Sequence, residues 1–468
     1  MTRVVRAGTR SEVEKGVTPV MRRFGALILK MAATTASAAL GLTLAASEAR
    51  ADVVFFEKDN WSVYTRGLIA SHYQYAFGDA DPATTHGVLV GGKILPGGAA
   101  DTCSGMEPDG LGGMRCKPPT LKLSRVRSGF VGTQLGIGVR RKITDRVKVD
   151  SLVAINLADI GSNRNQEINK SVDVREAWAA VETPAGTFKF GRQFMIFGSG
   201  SAPVVLISHK YAVGNPCFVN FPTIACGPVG AGPLYAGFDA QLRYETPRFA
   251  GLQFQVAASD PWVGPGFQMS PRPRFDAELN FDMSFNEQTR LRVFAEGVTE
   301  TVQRREINNT LTEGNVLGGF GSAVFNIAGL AIGGGGWQCK GCGTRQVFEV
   351  GIDTANPLAF DNAEFKLRTS RGFFGNAGYT LMGFTLAAGY GQAMVRPNPT
   401  DAPELLNPPQ PQSNRVSVLH SSTEYHVTFT KQIDALVLTA EYMHWNNKWH
   451  YGEKQNVNYT GLGANYVW

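Results

Sequence analysis

The sequence predicts an all-β protein: an antiparallel β-barrel of about 16 strands that crosses a membrane. Three observations lead to this fold. Apolar and polar residues alternate along most of the chain, the connections between predicted strands alternate in length, and charged residues make up only 18% of the 468 residues. Glycine (54 residues) and aromatic residues (10%) are abundant, a composition that excludes a disordered chain.

The first 51 residues have the features of an export signal. Two arginines follow Met21, a run of small and apolar residues comes next, and Ala-Arg-Ala at residues 49–51 fits the A-x-A cleavage pattern. The apolar run is too short and too weak to span a membrane as a helix. We therefore expect an N-terminal extension plus a cleaved signal peptide over residues 1–51, with Met21 better placed than Met1 as the start, and one barrel domain over residues 52–468.

The formal net charge of +6 comes mostly from this leader. The first 51 residues carry eight Lys or Arg and three Glu, which leaves residues 52–468 near +1. A chain so close to neutral gives no electrostatic basis for a nucleic-acid partner. No run of about twenty apolar residues follows the leader, so helical membrane spans are excluded.

Six cysteines follow the leader, and pairing them by proximity closes three local loops, which suits an oxidising compartment. They are Cys103, Cys116, Cys217, Cys226, Cys339 and Cys342. The alternative for the last two is half of a zinc site or a redox motif. A structural zinc site needs two more ligands, and none is close in the sequence. We therefore predict disulfides, with no metal and no cofactor.

The alternation of apolar and polar residues is clearest between residues 275 and 285. Phe275, Leu279 and the other odd-numbered residues are apolar, whereas Asp276, Glu278 and the other even-numbered residues are polar. A period of two places these sets on opposite faces of a strand. The same reasoning predicts strands near residues 61–75, 124–137, 146–158, 171–183, 187–197, 236–246, 250–259, 273–285, 288–302, 314–328, 330–338, 370–381, 383–395, 420–432, 435–446 and 456–468.

The connections between these strands alternate between short and long. Short ones lie at 183–186 and 382–383, for example, and long ones at 198–235 and 396–419. Outer-membrane barrels sort their loops in this way, with short turns on the periplasmic side and long loops outside. Closure also leaves no unpaired strand edge in lipid. Aromatic residues near predicted strand ends fit interfacial girdles; they include Trp178, Phe188, Phe190, Phe194, Tyr244, Tyr442, Trp445 and Trp449.

Several stretches resemble the Gram-negative general (trimeric) outer-membrane porins. Residues 124–132 (SRVRSGFVG) resemble the second strand of that family, residues 174–193 its fourth and fifth strands with a GRQ ending, and residues 244–251 (YETPRFAG) a later strand and turn. The chain ends on Tyr466-Val467-Trp468, where the family has an aromatic insertion signal. Phenylalanine is the usual last residue, so Trp468 is a chemically mild departure.

The resemblance implies a sixteen-stranded, water-filled barrel in the Gram-negative outer membrane, usually a homotrimer surrounded by lipid. Its third external loop, here about residues 198–235, would fold into the lumen. A disulfide between Cys217 and Cys226 would tie this loop together. The implied function is passive diffusion of small hydrophilic solutes and ions. An enzyme is not expected, because the seven histidines lie beside no nucleophile motif and no G-K-[ST] follows the glycines at 333–336.

The charge at the narrowest point of a channel sets its ion preference. Arg127 and Arg175 match two wall arginines of the family, and alternation places Arg125 and Asp173 on the same inner face. The same odd–even alternation, here called parity, places five residues on the lipid-facing side: Val126, Phe130, Val172, Val174 and Trp178. The family's next wall arginine falls on Gly237, so that charge is missing.

The predicted loop is unusual, because residues 198–238 contain no Asp or Glu but include His209 and Lys210. We therefore predict a constriction formed by these two residues with the wall residues, and a preference for anions. Carboxylates that parity also places in the lumen count against it: Asp276, Glu278, Asp282 and Glu296. The alternative function is a substrate-specific channel for a sugar or a phosphate-like anion.

Glu176 does not fit the alternation. Its parity points toward lipid, where a bare carboxylate is costly. Either it lies at a contact between subunits or a bulge shifts the strand register.

Overall fold

The structure is a computed structural model that describes most of the chain after residue 51. The described residues are 52–79, 89–90, 93–94, 106–108, 114–116, 120–157, 172–213, 227–261, 267–268, 270–305, 310–344, 366–397, 419–449 and 454–468. The predicted leader and Cys103, Cys217 and Cys226 lie outside them. Within the described part of the chain, none of the helices has the length and apolar character needed to cross a membrane.

One antiparallel sheet contains nineteen strand segments. They are β1 (Val53–Lys58), β2 (Trp61–Asp79), β3 (Thr120–Arg127), β4 (Thr133–Lys142), β5 (Lys148–Leu157), β6 (Val172–Thr183), β7 (Gly186–Phe194), β8 (Phe238–Glu245), β9 (Leu252–Ser259), β10 (Phe267–Gln268), β11 (Arg274–Asn286), β12 (Thr289–Arg305), β13 (Leu311–Ile327), β14 (Leu330–Lys340), β15 (Thr369–Leu381), β16 (Phe384–Val395), β17 (Leu419–Ile433), β18 (Leu436–Trp449) and β19 (Lys454–Val467). One helix, α1 (Ser201–His209), follows β7. Two short hairpins pair Leu89–Val90 with Lys93–Ile94 and Met106–Pro108 with Met114–Cys116.

The sheet closes on itself. β2 pairs with β19 from Leu68↔Val467 to Gly78↔Val457, and the backbone N–H of Gly67 donates to the Trp468 carbonyl at 3.0 Å. β1 and β10 are short additions, and β3 and β4 are two halves of one interrupted strand, so the barrel has sixteen strands in the described residues. The predicted closed, sixteen-stranded barrel is confirmed.

The interruption between β3 and β4 corrects the predicted strand at residues 124–137. Gly129 and Gly132 have φ angles of 81° and 75°, which turn the backbone out of the sheet. Phe130 therefore does not face lipid as predicted. Its N–H donates to the Ala212 carbonyl at 3.1 Å, and its ring meets the His209 ring edge-on at 5.9 Å.

The two faces of the wall differ as the alternation predicts. On β11, Phe275 and Leu279 are 48% and 50% exposed, whereas Asp276 and Glu278 are 1% and 4% exposed. Because the exposed set is apolar and lies on the outer surface of a closed barrel, it suits contact with lipid. The polar set lines the inside.

Two predicted girdle residues, Trp178 and Trp445, face inward instead. Trp178 is paired across the strands with Leu152, which is buried, whereas the next residue, Val153, is exposed on the outer face. Paired residues share a face, so Trp178 lies on the inner face with Leu152. Trp445 is 4% exposed, and its Nε1 donates to Ser422 Oγ at 2.6 Å. Buried indole N–H groups need a partner, which the polar inner face supplies.

The connections alternate in length, as predicted. β15 and β16 are joined by Met382 and Gly383, whose φ angles are 51° and 75°, the consecutive positive values of a tight hairpin. By contrast, the chain between the ends of β7 and β8 runs from Phe194 to Phe238 and contains α1.

Candidate functional site

The chain between β7 and β8 docks onto the inner face of the wall. We call its described stretches, residues 195–213 and 227–237, the docked segment. Asn376 Nδ2 donates to the Val204 carbonyl at 3.0 Å, and Ser322 Oγ donates to the Gly200 carbonyl at 2.7 Å. These wall residues lie on β15 and β13, so the segment crosses the barrel from its own strands to distant ones.

Glycines on the inner wall permit this close approach. A Cβ on Gly391 would lie 2.1 Å from the Ala231 carbonyl oxygen, and one on Gly461 would lie 2.5 Å from the Val213 side chain. Both distances are under 3.0 Å, a separation that real Cβ contacts essentially never show. Part of the high glycine content therefore shapes the surface that receives the docked segment.

Two wall carboxylates hold the segment just before α1. Glu296 accepts the N–H groups of Gly198 and Gly200 at 2.5 and 2.6 Å, and Ser199 Oγ lies 3.2 Å from the same carboxylate. Ser199 Oγ also donates to Glu278 at 3.1 Å. The free N–H groups at a helix start favour a negative group, so Glu296 suits this position.

The other end of α1 is held by a buried chain of polar side chains. Glu424 Oε2 lies 2.9 Å from His426 Nδ1, and His426 Nε2 lies 2.8 Å from Ser208 Oγ. Ser208 Oγ lies 2.9 Å from His209 Nδ1, and His209 Nε2 lies 3.3 Å from Glu441 Oε1. Burial lowers the pKa of His209, and the neighbouring His426 lowers it further, against the raising effect of Glu441.

Other inward carboxylates are balanced by arginines. Asp276 binds Arg274 at 2.9 Å, and both side chains are almost completely buried. Asp282 accepts two hydrogen bonds from Arg290, at 2.8 and 2.6 Å. The four carboxylates that parity places in the lumen are therefore engaged, two by arginines and two by the docked segment.

The chain matches a protein family and several solved structures. The family model for the Gram-negative porin matches residues 33–468. The chain belongs to the Gram-negative porin family. The porin resembles the outer membrane channel DcaP of Acinetobacter baumannii, with 15% identity and a TM-score of 0.60 over 89% of this chain and 100% of that one. It also resembles an anion-selective porin from Comamonas acidovorans, with 10% identity and a TM-score of 0.53 over 87% of this chain and 100% of that one. No curated protein sequence matches it significantly.

Family and fold establish the general role of this porin. It is an outer-membrane protein of a Gram-negative cell, and it forms a channel for solute diffusion.

The predicted wall residues lie on β3 and β6. Arg125 and Arg127 pair in register with Gln74 and His72, and their side chains lie outside the described part of the structure. Arg175 Nε donates to Asp173 at 2.9 Å. The structure brings these last two side chains together, and their predicted part in a constriction stays a prediction.

A bulge on β6 explains Glu176. The register between β5 and β6 shifts between Val174 and Glu176, so that Glu176 pairs with the buried Ala154. Glu176 therefore faces inward, where its carboxylate accepts a hydrogen bond from Arg66 at 3.1 Å. Of the two explanations that the sequence leaves open, the bulge is confirmed.

A disulfide joins Cys339 and Cys342, with Cα atoms 5.5 Å apart, which confirms one predicted pair. For Cys116 only the backbone is described, in a short strand paired with Met106. At the chain end, the ring of Tyr466 lies 6.1 Å from that of Trp468. Their role as an insertion signal stays a prediction.

Parity alone misses the residues that hold the docked segment. It places Glu278 and Glu296 inside but does not pair them with the segment. His426 and Glu424 are two residues apart on β17, so their side chains point to the same face of the strand. This spacing is the only sequence signal for the contact with the end of α1.

Proposed function

We propose that the docked segment narrows the channel of this porin, and that small hydrophilic solutes and ions diffuse past it with a preference for anions. The observation that carries the proposal is the absence of any Asp or Glu from residues 198–237, together with Lys210 at the end of α1. A cation at a narrow opening with low-dielectric walls raises the local anion concentration.

The engaged wall carboxylates support the same preference. Asp276 and Asp282 are neutralised by arginine partners, and the oxygens of Glu278 and Glu296 are turned toward hydrogen-bond donors. Within the described residues, no carboxylate lies within ion-pair distance of Lys210. A porin described as anion-selective shares this fold, which is consistent with the proposal.

We further propose that the mature porin begins after residue 51 and assembles as a homotrimer, with Arg125, Arg127, Asp173, Arg175, His209 and Lys210 at or near the constriction. Mass spectrometry of the exported chain tests the first point, since a peptide that starts at Asp52 is expected. Chemical cross-linking in detergent tests the second, and monomer alone contradicts it.

Charge reversal at Lys210 tests the anion preference. In a planar bilayer with a KCl gradient, Lys210→Glu is expected to lower the chloride-to-potassium permeability ratio at least about twofold. The matched control is Lys142→Glu, because Lys142 is the last residue of β4, before a short turn, and pairs with the exposed Asp145 at 2.7 Å. Equal shifts in the two variants contradict a role for Lys210 at the constriction.

Liposome swelling with sugars of graded size separates diffusion from specific uptake. A smooth decline of rate with solute size is expected for a sieve. A rate that saturates for one sugar, or a current blocked by phosphate, indicates a substrate-specific channel instead.

A further inference from the structure

A groove lies on the outer face of the barrel, over β17, β18, β19 and β2. Its volume is about 460 Å³, which is in the range of sites that hold an organic ligand. The residues that line it include Tyr73, Phe429, Ala440, Tyr442 and Leu462. Tyr73 is 51% exposed, whereas its neighbours His72 and Gln74 on β2 are 1% and 2% exposed. The groove therefore opens to the surroundings of the barrel and not to the channel.

The outer side chains beyond the groove become first polar and then basic. Three cross-strand pairs of β18 and β19 follow the groove in order: His444↔Asn458, Asn446↔Asn456 and Lys448↔Lys454. Trp445 and Val457, which alternate with these residues, are only 4% and 2% exposed, so the pairs lie on the outer face. The groove and the three pairs form one continuous surface along the wall, which we call the outer column.

The amide side chains in the middle of the outer column are hydrogen-bonded within the wall. Tyr442 Oη donates to Asn458 Oδ1 at 2.8 Å, and Asn446 Nδ2 donates to Asn456 Oδ1 at 2.6 Å. Asn456 also donates to Asp79 Oδ2, from its backbone N–H at 2.9 Å and from its Nδ2 at 3.2 Å. The one carboxylate beside these pairs is therefore engaged by amide donors.

The lysine pair at the end of the outer column has a charge that the wall does not balance. Lys448 and Lys454 are directly opposite each other, a position in which like charges destabilise a sheet. Both side chains are exposed, and in the part of the chain that the structure describes no carboxylate lies within ion-pair distance of either ammonium group. An anionic group between the two lysines would remove this repulsion.

The length of the outer column matches the thickness of one lipid leaflet. Lys448 lies eight residues after Ala440 on β18, which is about 26 Å along a strand that rises about 3.3 Å per residue. At strand tilts of about 35–45° this corresponds to about 19–22 Å along the membrane normal. Half of a bilayer with its headgroups measures about 20–22 Å. The short turn between Ile433 and Leu436 marks the periplasmic end, so the lysines lie at the external surface.

We propose that the outer column binds a phosphorylated lipid of the external leaflet, with an acyl chain in the groove and a phosphate group between Lys448 and Lys454. The side chains change from apolar to amide to ammonium in the order in which such a lipid changes from tail to headgroup. A phosphate group carries up to two negative charges and three acceptor oxygens, so one group satisfies both lysines. The site lies outside the channel and does not depend on the docked segment.

Native mass spectrometry of the detergent-folded porin tests the charged end of the site. The probes are lipid A with two phosphate groups, the same lipid without them, and inorganic phosphate. A lysine near a membrane surface contributes about a fivefold factor to the binding of an anionic lipid, so Lys448→Gln with Lys454→Gln should weaken lipid A binding at least about tenfold. The matched control is Lys431→Gln, because Lys431 lies on the outer face near the periplasmic turn, with its Nζ 3.8 Å from the centre of the Phe384 ring.

Filling the groove tests the apolar end without changing a charge. Ala440→Trp should weaken lipid A binding at least about tenfold, because each buried methylene contributes about a fourfold factor and the indole displaces two or more of them. The matched control is Ala323→Trp on β13, where Ala323 pairs with Val293, a residue that is 37% exposed on the outer face. Equal losses in the two tryptophan variants contradict a role for the groove.

Three further outcomes overturn the lipid site. The first is lipid A binding that survives in the lysine double variant or that is equally tight without the phosphate groups. The second is lysine-dependent binding of inorganic phosphate without binding of lipid A, which indicates a free anion. The third is a change from oligomer to monomer in the lysine double variant at unchanged lipid binding, which indicates a contact with a second copy of the chain. Single-channel conductance should be unaltered in all these variants, so the channel function is tested separately.

Discussion

Glu296 Oε1 accepts the backbone N–H of Gly200 at 2.6 Å, although 96 residues separate the two in the chain. The contact joins β12 to the turn that opens α1, and the same carboxylate binds the N–H of Gly198. An acidic residue on the channel wall therefore fixes the position of a segment that is itself free of acidic residues.

Glu296→Gln is expected to weaken this attachment. Glutamine keeps one acceptor oxygen but turns an NH₂ group toward the second backbone N–H, so one charge-assisted hydrogen bond of about 1.5–3 kcal/mol is lost. We expect the segment to leave the wall at least ten times more often, seen as more frequent changes of current in single-channel records, since about 1.4 kcal/mol is a factor of ten. The control is Glu287→Gln in the exposed turn between β11 and β12; identical records for both variants contradict the attachment.

Gly391→Ala is expected to push the docked segment off the wall. The new Cβ would lie 2.1 Å from the Ala231 carbonyl oxygen, and overpacking of this kind costs about 1–3 kcal/mol. Single-channel conductance and the solute size limit are both expected to change. Gly319→Ala is the control, because a Cβ there meets nothing within 4 Å. Unchanged conductance in Gly391→Ala shows that the segment does not border the water path.

Two ion pairs of the barrel wall should differ in their contribution to stability. One lies within β11, and the other joins β11 to β12. Asp276→Asn leaves the buried Arg274 without its charge partner, and we expect the free energy of unfolding to fall by about 3–5 kcal/mol. Asp282→Asn breaks the pair with Arg290, whose side chain is 41% exposed, and should cost no more than about 1 kcal/mol. Urea titration of the detergent-folded porin measures both. Equal losses of unfolding free energy would contradict the expectation that the buried pair contributes more than the exposed one.

Replacing Cys339 and Cys342 together by alanine is expected to lower stability without altering conductance. Closing a loop with a sequence separation of 3 restricts the unfolded chain by about 2 kcal/mol. Both side chains are buried in an apolar cluster with Phe320 and Trp337, away from the polar contacts that hold α1. A lower thermal midpoint with unchanged single-channel current is the expected result, and an unchanged midpoint contradicts it.

The alternation of side chains predicted most of the barrel, because the period of a strand is a local property of the sequence. On β11 the apolar and polar sets fall on the outer and inner faces as predicted. Parity fails where the backbone leaves the regular sheet. The glycine break around Phe130 and the bulge before Glu176 each shift the faces of nearby side chains.

The contacts of the docked segment could not be predicted, because they join residues that are far apart in the sequence. Ser208 and His426 are 218 residues apart, and their pairing depends on how the barrel closes. Trp445 shows the same limit. An aromatic residue near a strand end fits an interfacial girdle, but only the three-dimensional structure shows that this one reaches Ser422 inside the barrel.

The reversal potential of the unaltered porin in a tenfold KCl gradient is the most direct test of the proposed function. We predict chloride-selective conductance near neutral pH, which weakens as salt rises because ions screen charges beyond about 10 Å at 0.1 M. A reversal potential of the opposite sign at low salt, which means cation selectivity, would contradict the claim that a segment without carboxylates sets the charge of the constriction.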